Sequence, residues 1–444
     1  MFKKNKNKKG FTLIESLVAL FIFSISALAF YGAFSAGTSY LLEAKNRSWA
    51  LSLANEKMEI IRNLNYDDIG TIGGIPNGSL KSDEDVSFGG KTFRVVIDAH
   101  YVDDSFDEAG ASDKNGVMTD YKVVKVSIFW GKEVDSQRVN LVSRFVPPGV
   151  EIGNPDEGTL VVNILSQDGP VSGADVDISN TYVSPVVNLS READDNGQVY
   201  IPGAEQSIQT YKIKISKSGY ETVETMDPSS PEINYNPFDK NGSVVAGSVN
   251  ISNITINKLA NLKISSIDSV GNSLANANFS LVGGRQLDVE GNVFNVNELN
   301  QSTGSGGGKI FSNISPGNFT LTRGSGISDY TFIGMGELSP FSLNPDESKE
   351  IVMKFASDNL VWLMVTVKDT EGNFLEGASV KLSNTLGYDK TLETAKDGVV
   401  FFPDSGELLA GEYNLEVALS GFKTKNSTIN VAEKTTEEII LEVE

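Results

Sequence analysis

Residues 11–42 contain a single charge, Glu15, and no proline, and this run constrains the fold more than any other feature of the 444 residues. About 20 apolar residues suffice to cross a bilayer as a helix, so the segment is long enough to span one. Ahead of it, Lys3, Lys4, Lys6, Lys8 and Lys9 form a basic head that ends at Gly10, and such lysines stay on the cytoplasmic side. An ordinary secretory signal would use the same head with a shorter apolar core, and Ala27-Leu28-Ala29 offers a cleavage site of that kind. A plain membrane anchor is the second reading. Both leave Glu15 unexplained, because a carboxylate in an apolar helix costs roughly 2.5–3.5 kcal/mol on insertion scales.

The helical pattern outlasts the apolar run. No proline occurs between Phe11 and Pro76, and Ala50, Leu53, Ala54, Met58, Ile61 and Leu64 recur at spacings of three and four. One helix is predicted from Phe11 to Asn63, about 80 Å long at 1.5 Å per residue, with Gly32 and Gly37 as its soft points. Its amphipathic half should seat an antiparallel sheet, for which 93–100, 121–130 and 138–146 supply strand-like segments. The intervening stretch 103–120 is acidic. Calcium takes several oxygen ligands, but the spacing here does not reproduce an EF-hand loop, and a solvated loop is expected.

The octet Lys9-Gly10-Phe11-Thr12-Leu13-Ile14-Glu15-Ser16 resembles the prepilin processing motif of type IV pilins and type II secretion pseudopilins. The resemblance implies that prepilin peptidase cuts between Gly10 and Phe11 and that the new amino-terminal residue, Phe11, is N-methylated. It also gives Glu15 a role in filament assembly: its carboxylate would face the amino-terminal nitrogen of a neighbouring subunit, so that two charges unwelcome among apolar side chains neutralise each other. The stretch from Asn46 to Arg62, followed by Tyr66-Asp67-Asp68, is similar to minor pilins and pseudopilins rather than major pilins. The localisation implied is a single-pass precursor in the cytoplasmic (inner) membrane, then a filament at the cell surface.

Beyond Pro147, Pro148 and Gly149 the chain repeats itself at intervals of about 100 residues. Each copy opens with an apolar strand, turns at Asp168, Asp268 or Asp369, and continues into Val171 to Val176, Leu274 to Phe279 or Leu375 to Val380. Each closes with a β-rich run: 249–256, 350–355 or 436–443. Short alternating strands with this punctuation predict β-sandwiches. The copies resemble carboxypeptidase regulatory-like (transthyretin-like) modules and, more distantly, collagen-adhesin B-type modules. Some B-type modules join lysine to asparagine through a buried glutamate. The corresponding strands here, around Lys214, Thr322 and Ala418, hold no suitable acid, so no internal isopeptide bond is expected.

The fold class expected is therefore α+β followed by all-β: a long transmembrane pilin helix packed on an antiparallel sheet, then three tandem Ig-like β-sandwich modules. The expected divisions are a leader (1–10), the long helix (11–63, with 11–42 as membrane or filament core), a sheet domain (64–148), a linker (149–158) and repeats at 159–259, 260–357 and 358–444.

Composition narrows the function. The chain has 58 acidic against 37 basic side chains, and without the five leader lysines 32 basic ones remain, a net charge of about −26. An acidic body repels phosphate backbones, so it should bind no nucleic acid. With no cysteine and one histidine, His100, disulfides, thiolate chemistry and multi-histidine metal sites are excluded. No metal, cofactor or catalytic residue is expected, and the chain does not read as an enzyme. The expected partners are prepilin peptidase, other pilin or pseudopilin subunits through the helix, the membrane before assembly, and an extracellular protein or glycan ligand of the sandwiches. Three modules in line would reach on the order of 100 Å, which favours an adhesive minor pilin. The alternative is a structural pseudopilin of a type II secretion or DNA-uptake filament, with the sandwiches as spacers.

Overall fold

A computed structural model describes residues 12–103, 119–131, 137–148, 156–403 and 407–444. One helix, α1 (Leu13–Arg62), runs unbroken through Gly32 and Gly37. It stops at Asn63, whose side-chain amide donates to Glu59 O at 2.7 Å and whose N–H turns back to Ile60 O and Ile61 O. The helix has two environments. Every residue from Leu13 to Leu42 is exposed, whereas Ala50, Leu53, Ala54, Met58 and Ile61 are buried.

The buried face lies on a four-stranded antiparallel sheet in the order β1 (Asp83–Phe88), β2 (Lys91–Val102), β3 (Tyr121–Phe129), β4 (Arg138–Phe145). Period-two alternation turns Phe93, Val95, Ile97 and Ala99 of β2, and Val124, Val126 and Ile128 of β3, toward the helix. Strands β2, β3 and β4 are the three expected from the sequence. Strand β1 was not expected: it is an acidic edge strand with no fully buried side chain, so it carries no apolar signature. Most of the acidic stretch 103–120 and of the linker 149–158 lies outside the described residues.

Three sandwich-like modules follow, each with its own apolar core, centred on Leu160 and Ile213, on Phe279 and Phe319, and on Leu363 and Tyr413. Their sheets hold four and five, four and four, and three and four strands. In every module the opening strand pairs in parallel with the closing one: Glu157–Ser166 with Val249–Thr255, Ala260–Asp268 with Ser348–Ser357, and Trp362–Asp369 with Lys434–Leu441. The other ladders are antiparallel. Because the first and last strands run the same way, the chain enters each module at one pole and leaves at the other. That is the geometry a linear stack requires.

The repeated aspartate turns are not all alike. Asp268 Oδ1 accepts from the N–H groups of Val270 and Asn272 at 3.0 and 2.8 Å, and Asp369 Oδ1 accepts from Glu371 and Asn373 at 2.9 Å each, the side-chain turn that aspartate favours. Module 1 is shorter here. Its turn closes with Ser166 opposite Gly169, and Asp168 instead pairs with Lys258 at 3.1 Å.

Candidate assembly site on the amino-terminal helix

Gly10 and Phe11, the expected cleavage and methylation positions, lie outside the described residues. Glu15 is described, and it has an intrachain partner that the sequence reading missed. Thr12 is the N-cap of α1: its backbone N–H donates to Glu15 Oε2 at 3.0 Å, its hydroxyl donates to the same oxygen at 2.9 Å, and Glu15 N–H donates to Thr12 Oγ1 at 3.3 Å. This is a capping box, which satisfies donors that the first helical turn leaves open. The letters Thr12-x-x-Glu15 spell it out, so the signal was present in the sequence.

Past this cap the helix surface is apolar on all sides, with Leu13, Leu20, Phe23, Leu28, Phe30 and Tyr31 among the exposed side chains. A helix apolar all round needs either lipid or other helices about it. The body begins where the apolar run ends. Trp130 Nε1 donates to Glu43 Oε1 at 3.0 Å, the Lys45 ammonium sits 4.4 Å from the Trp49 ring centroid, and Lys57 Nζ meets Glu84 Oε1 at 2.5 Å. Gly89, with φ of 61°, lies so close to Trp49 that an added Cβ would come within 2.7 Å of the ring.

The body also grips module 1. Arg191 Nη1 contacts Asp98 Oδ1 at 2.6 Å, and Nη2 donates to Ala99 O at 2.8 Å. The side chain of Ile75 enters the module 1 core, and Asn188 N–H donates to Gly73 O at 2.6 Å. His100 Nδ1 lies 3.2 Å from Asp98 Oδ2, so the single histidine stands beside the carboxylate that holds Arg191. Burial opposes ionisation of Asp98, but the His100 hydrogen bond and the Arg191 guanidinium outweigh it and hold the carboxyl below its ordinary range. A cleft of about 480 Å³ opens at this junction, lined by Arg94, Asp98, Asp175, Arg191 and Glu192 among others. Nearby, Lys122 is buried, donates to Tyr66 O and Ile69 O at 2.7 and 2.8 Å, and lies over the Tyr66 and Tyr101 rings. Burial lowers its ammonium to about 8, against the opposing pull of Asp67, Asp68 and Glu157.

Residues 5–31 match the family model described as the prokaryotic N-terminal methylation motif. No curated protein matches the chain in sequence. Among solved structures, the TIE protein of Bacillus anthracis aligns over 73% of this chain and 59% of its own length, at 15% identity and a TM-score of 0.21. The chain thus spans less than two thirds of that protein. A streptococcal ancillary pilin aligns over 65% of this chain and 99% of its own, at 15% identity and 0.20. GBS52, the minor pilin of Streptococcus agalactiae, aligns over 42% and 96%, at 13% identity and 0.17. An N-terminal methylation motif thus opens a long helix whose apolar half, Leu13 to Leu42, is exposed, ahead of sandwich-like modules.

Proposed function

We propose that the chain is a minor type IV pilin-like subunit. Prepilin peptidase cuts it between Gly10 and Phe11 and methylates Phe11. α1 then leaves the membrane for a filament, and the three sandwiches project from the filament surface as a stalk that binds an extracellular protein or glycan. The observation that carries this reading is α1 itself: thirty residues from Leu13 to Leu42, all exposed, with one carboxylate, Glu15, at the end where the freed amine would lie. In a filament of such helices the carboxylate of one subunit meets the amine of the next, and neither charge is left alone among apolar side chains. A body followed by three modules would crowd a densely packed fibre, which favours a subunit placed at the tip or sparsely along its length.

Deleting residues 159–444 tests the division of labour. Filaments should persist while attachment to surfaces or cells disappears. If attachment is unchanged and protein export or DNA uptake changes instead, the chain is a structural pseudopilin and the sandwiches are spacers.

A further inference from the structure

One connection occupies the same place in all three modules, just before the strand that precedes the closing strand: 217–241 in module 1, 324–340 in module 2 and 419–424 in module 3. The first two are long and the third is short. Each long one pairs a short strand with its own module, Val223–Glu224 or Tyr330–Gly334, and also takes hold of the next module.

From 217–241, Phe238 N–H donates to Leu287 O at 2.8 Å, and Asn236 O accepts from Val289 N–H at 3.1 Å, a fragment of antiparallel ladder around the Pro237–Asp288 bridge. The same connection supplies Glu221 and Asp239, and Arg285 of module 2 is inserted between them. Its Nη1 lies 3.1 Å from Glu221 Oε1, its Nη2 lies 2.7 Å from Asp239 Oδ2, and Nη1 also donates to Thr255 O at 2.8 Å. Glu221 is only 3% exposed. From 324–340, the N–H groups of Met335 and Gly336 both donate to Asp397 Oδ2 of module 3 at 2.9 Å, and Lys396 donates to Glu337 at 3.3 Å. Ile333 and Ala356 of module 2 bury Trp362 of module 3 in a small core of their own. In module 3, the main-chain bonds of Lys423 and Phe422 stay within the module.

Domains in tandem move relative to one another unless something holds them. Bending at the first joint would draw Arg285 away from Glu221 and Asp239 and leave the buried Glu221 carboxylate and the part-buried Asp239 without their cation, which is strongly disfavoured. Bending at the second would strip Asp397 of two donors and open the Trp362 core. The geometry points to a clasp: modules 1 and 2 each use the lengthened connection to lock the following module, which makes the three sandwiches one stiff rod with a fixed module order. The inference is independent of what the rod binds.

The absence of cysteine allows paired spin labels to be placed at will in the purified full chain. Tyr182→Cys with Leu299→Cys spans the first joint, and Leu299→Cys with Leu386→Cys spans the second; all three side chains are exposed. Each pair should give one narrow distance distribution. Arg285→Ala should roughly double the width for the first pair alone, and Asp397→Ala should do so for the second pair alone. A control pair inside module 2, Val270→Cys with Leu299→Cys, should keep its width. Should Arg285→Ala unfold module 2, the isosteric Glu221→Gln reads the same joint. Broad distributions without any joint substitution, or narrow ones that survive both, would overturn the clasp.

Discussion

Glu15 has two claims on its carboxylate, and they can be separated. Within one chain it closes the capping box with Thr12; in the proposed filament it answers a neighbour's amine. Glutamine serves a capping box as well as glutamate does. Glu15→Gln should therefore preserve the start of α1 and still abolish filament assembly, whereas Thr12→Ala should loosen the first turn, by about 1 kcal/mol, and leave filaments in place. Counting filaments by electron microscopy for the two variants decides this, and equal loss in both would reduce Glu15 to a cap. Lys122 gives a second prediction. Its folded ammonium titrates near 8 against an ordinary lysine value of 10.5, so the unfolded chain holds this proton to higher pH than the folded one. Stability of the body should rise as pH climbs from about 8 toward 10, and Lys122→Met should remove that rise in thermal unfolding. Beyond pH 10 Tyr101 acts the opposite way, since burial raises its hydroxyl above the ordinary value. Asp98 predicts the acid side: its folded carboxyl lies below the ordinary range, so its stabilisation is complete above about pH 4 and fades as pH falls through the folded value. Arg191→Ala should flatten that acid limb of the unfolding curve.

At the scale of elements, α1 was legible nearly to the residue, because its apolar spacing, its lack of proline and its polar end at Asn63 agree with one another. Small side chains mark where it meets the sheet. Ala50 and Ala54 are fully buried, so Ala54→Leu should overpack that contact and cost about 1–3 kcal/mol, while Ala33→Leu on the bare half should leave thermal unfolding unchanged. Strands β2 to β4 announced themselves by alternation, and β1 did not, since Asp83, Glu84 and Asp85 read as loop. The opening and closing strands of each module were also legible, but their parallel pairing was not. Direction depends on which strands become neighbours, and periodicity carries no information about neighbours. The joints were hidden for a related reason. Arg285 meets Glu221 and Asp239 across long stretches of sequence, and each reads alone as an ordinary surface charge. The buried glutamate that the modules do contain, Glu221, bonds Arg285 and the Asn257 amide, and no lysine is among these partners.

Over the whole molecule, each unit is fastened to the next through its own set of residues: Arg191 of module 1 on Asp98 and Ala99 of the body, Arg285 between the first two modules, and Asp397 with Trp362 between the last two. Limited proteolysis should therefore spare the short passages 256–259 and 358–361, and Arg285→Ala should open the first of them selectively; peptide mapping by mass spectrometry reads the outcome. The parallel partnership of opening and closing strands has a mechanical corollary. A tether held at one pole and pulled at the other loads those two strands lengthwise, in shear, from Val249 to Thr255 against Thr159 to Leu165 and likewise in the other modules. Their hydrogen bonds must then fail together rather than one after another, as they would in a zipper opened from its end. A load carried from pole to pole would strain every rung of the ladder at once.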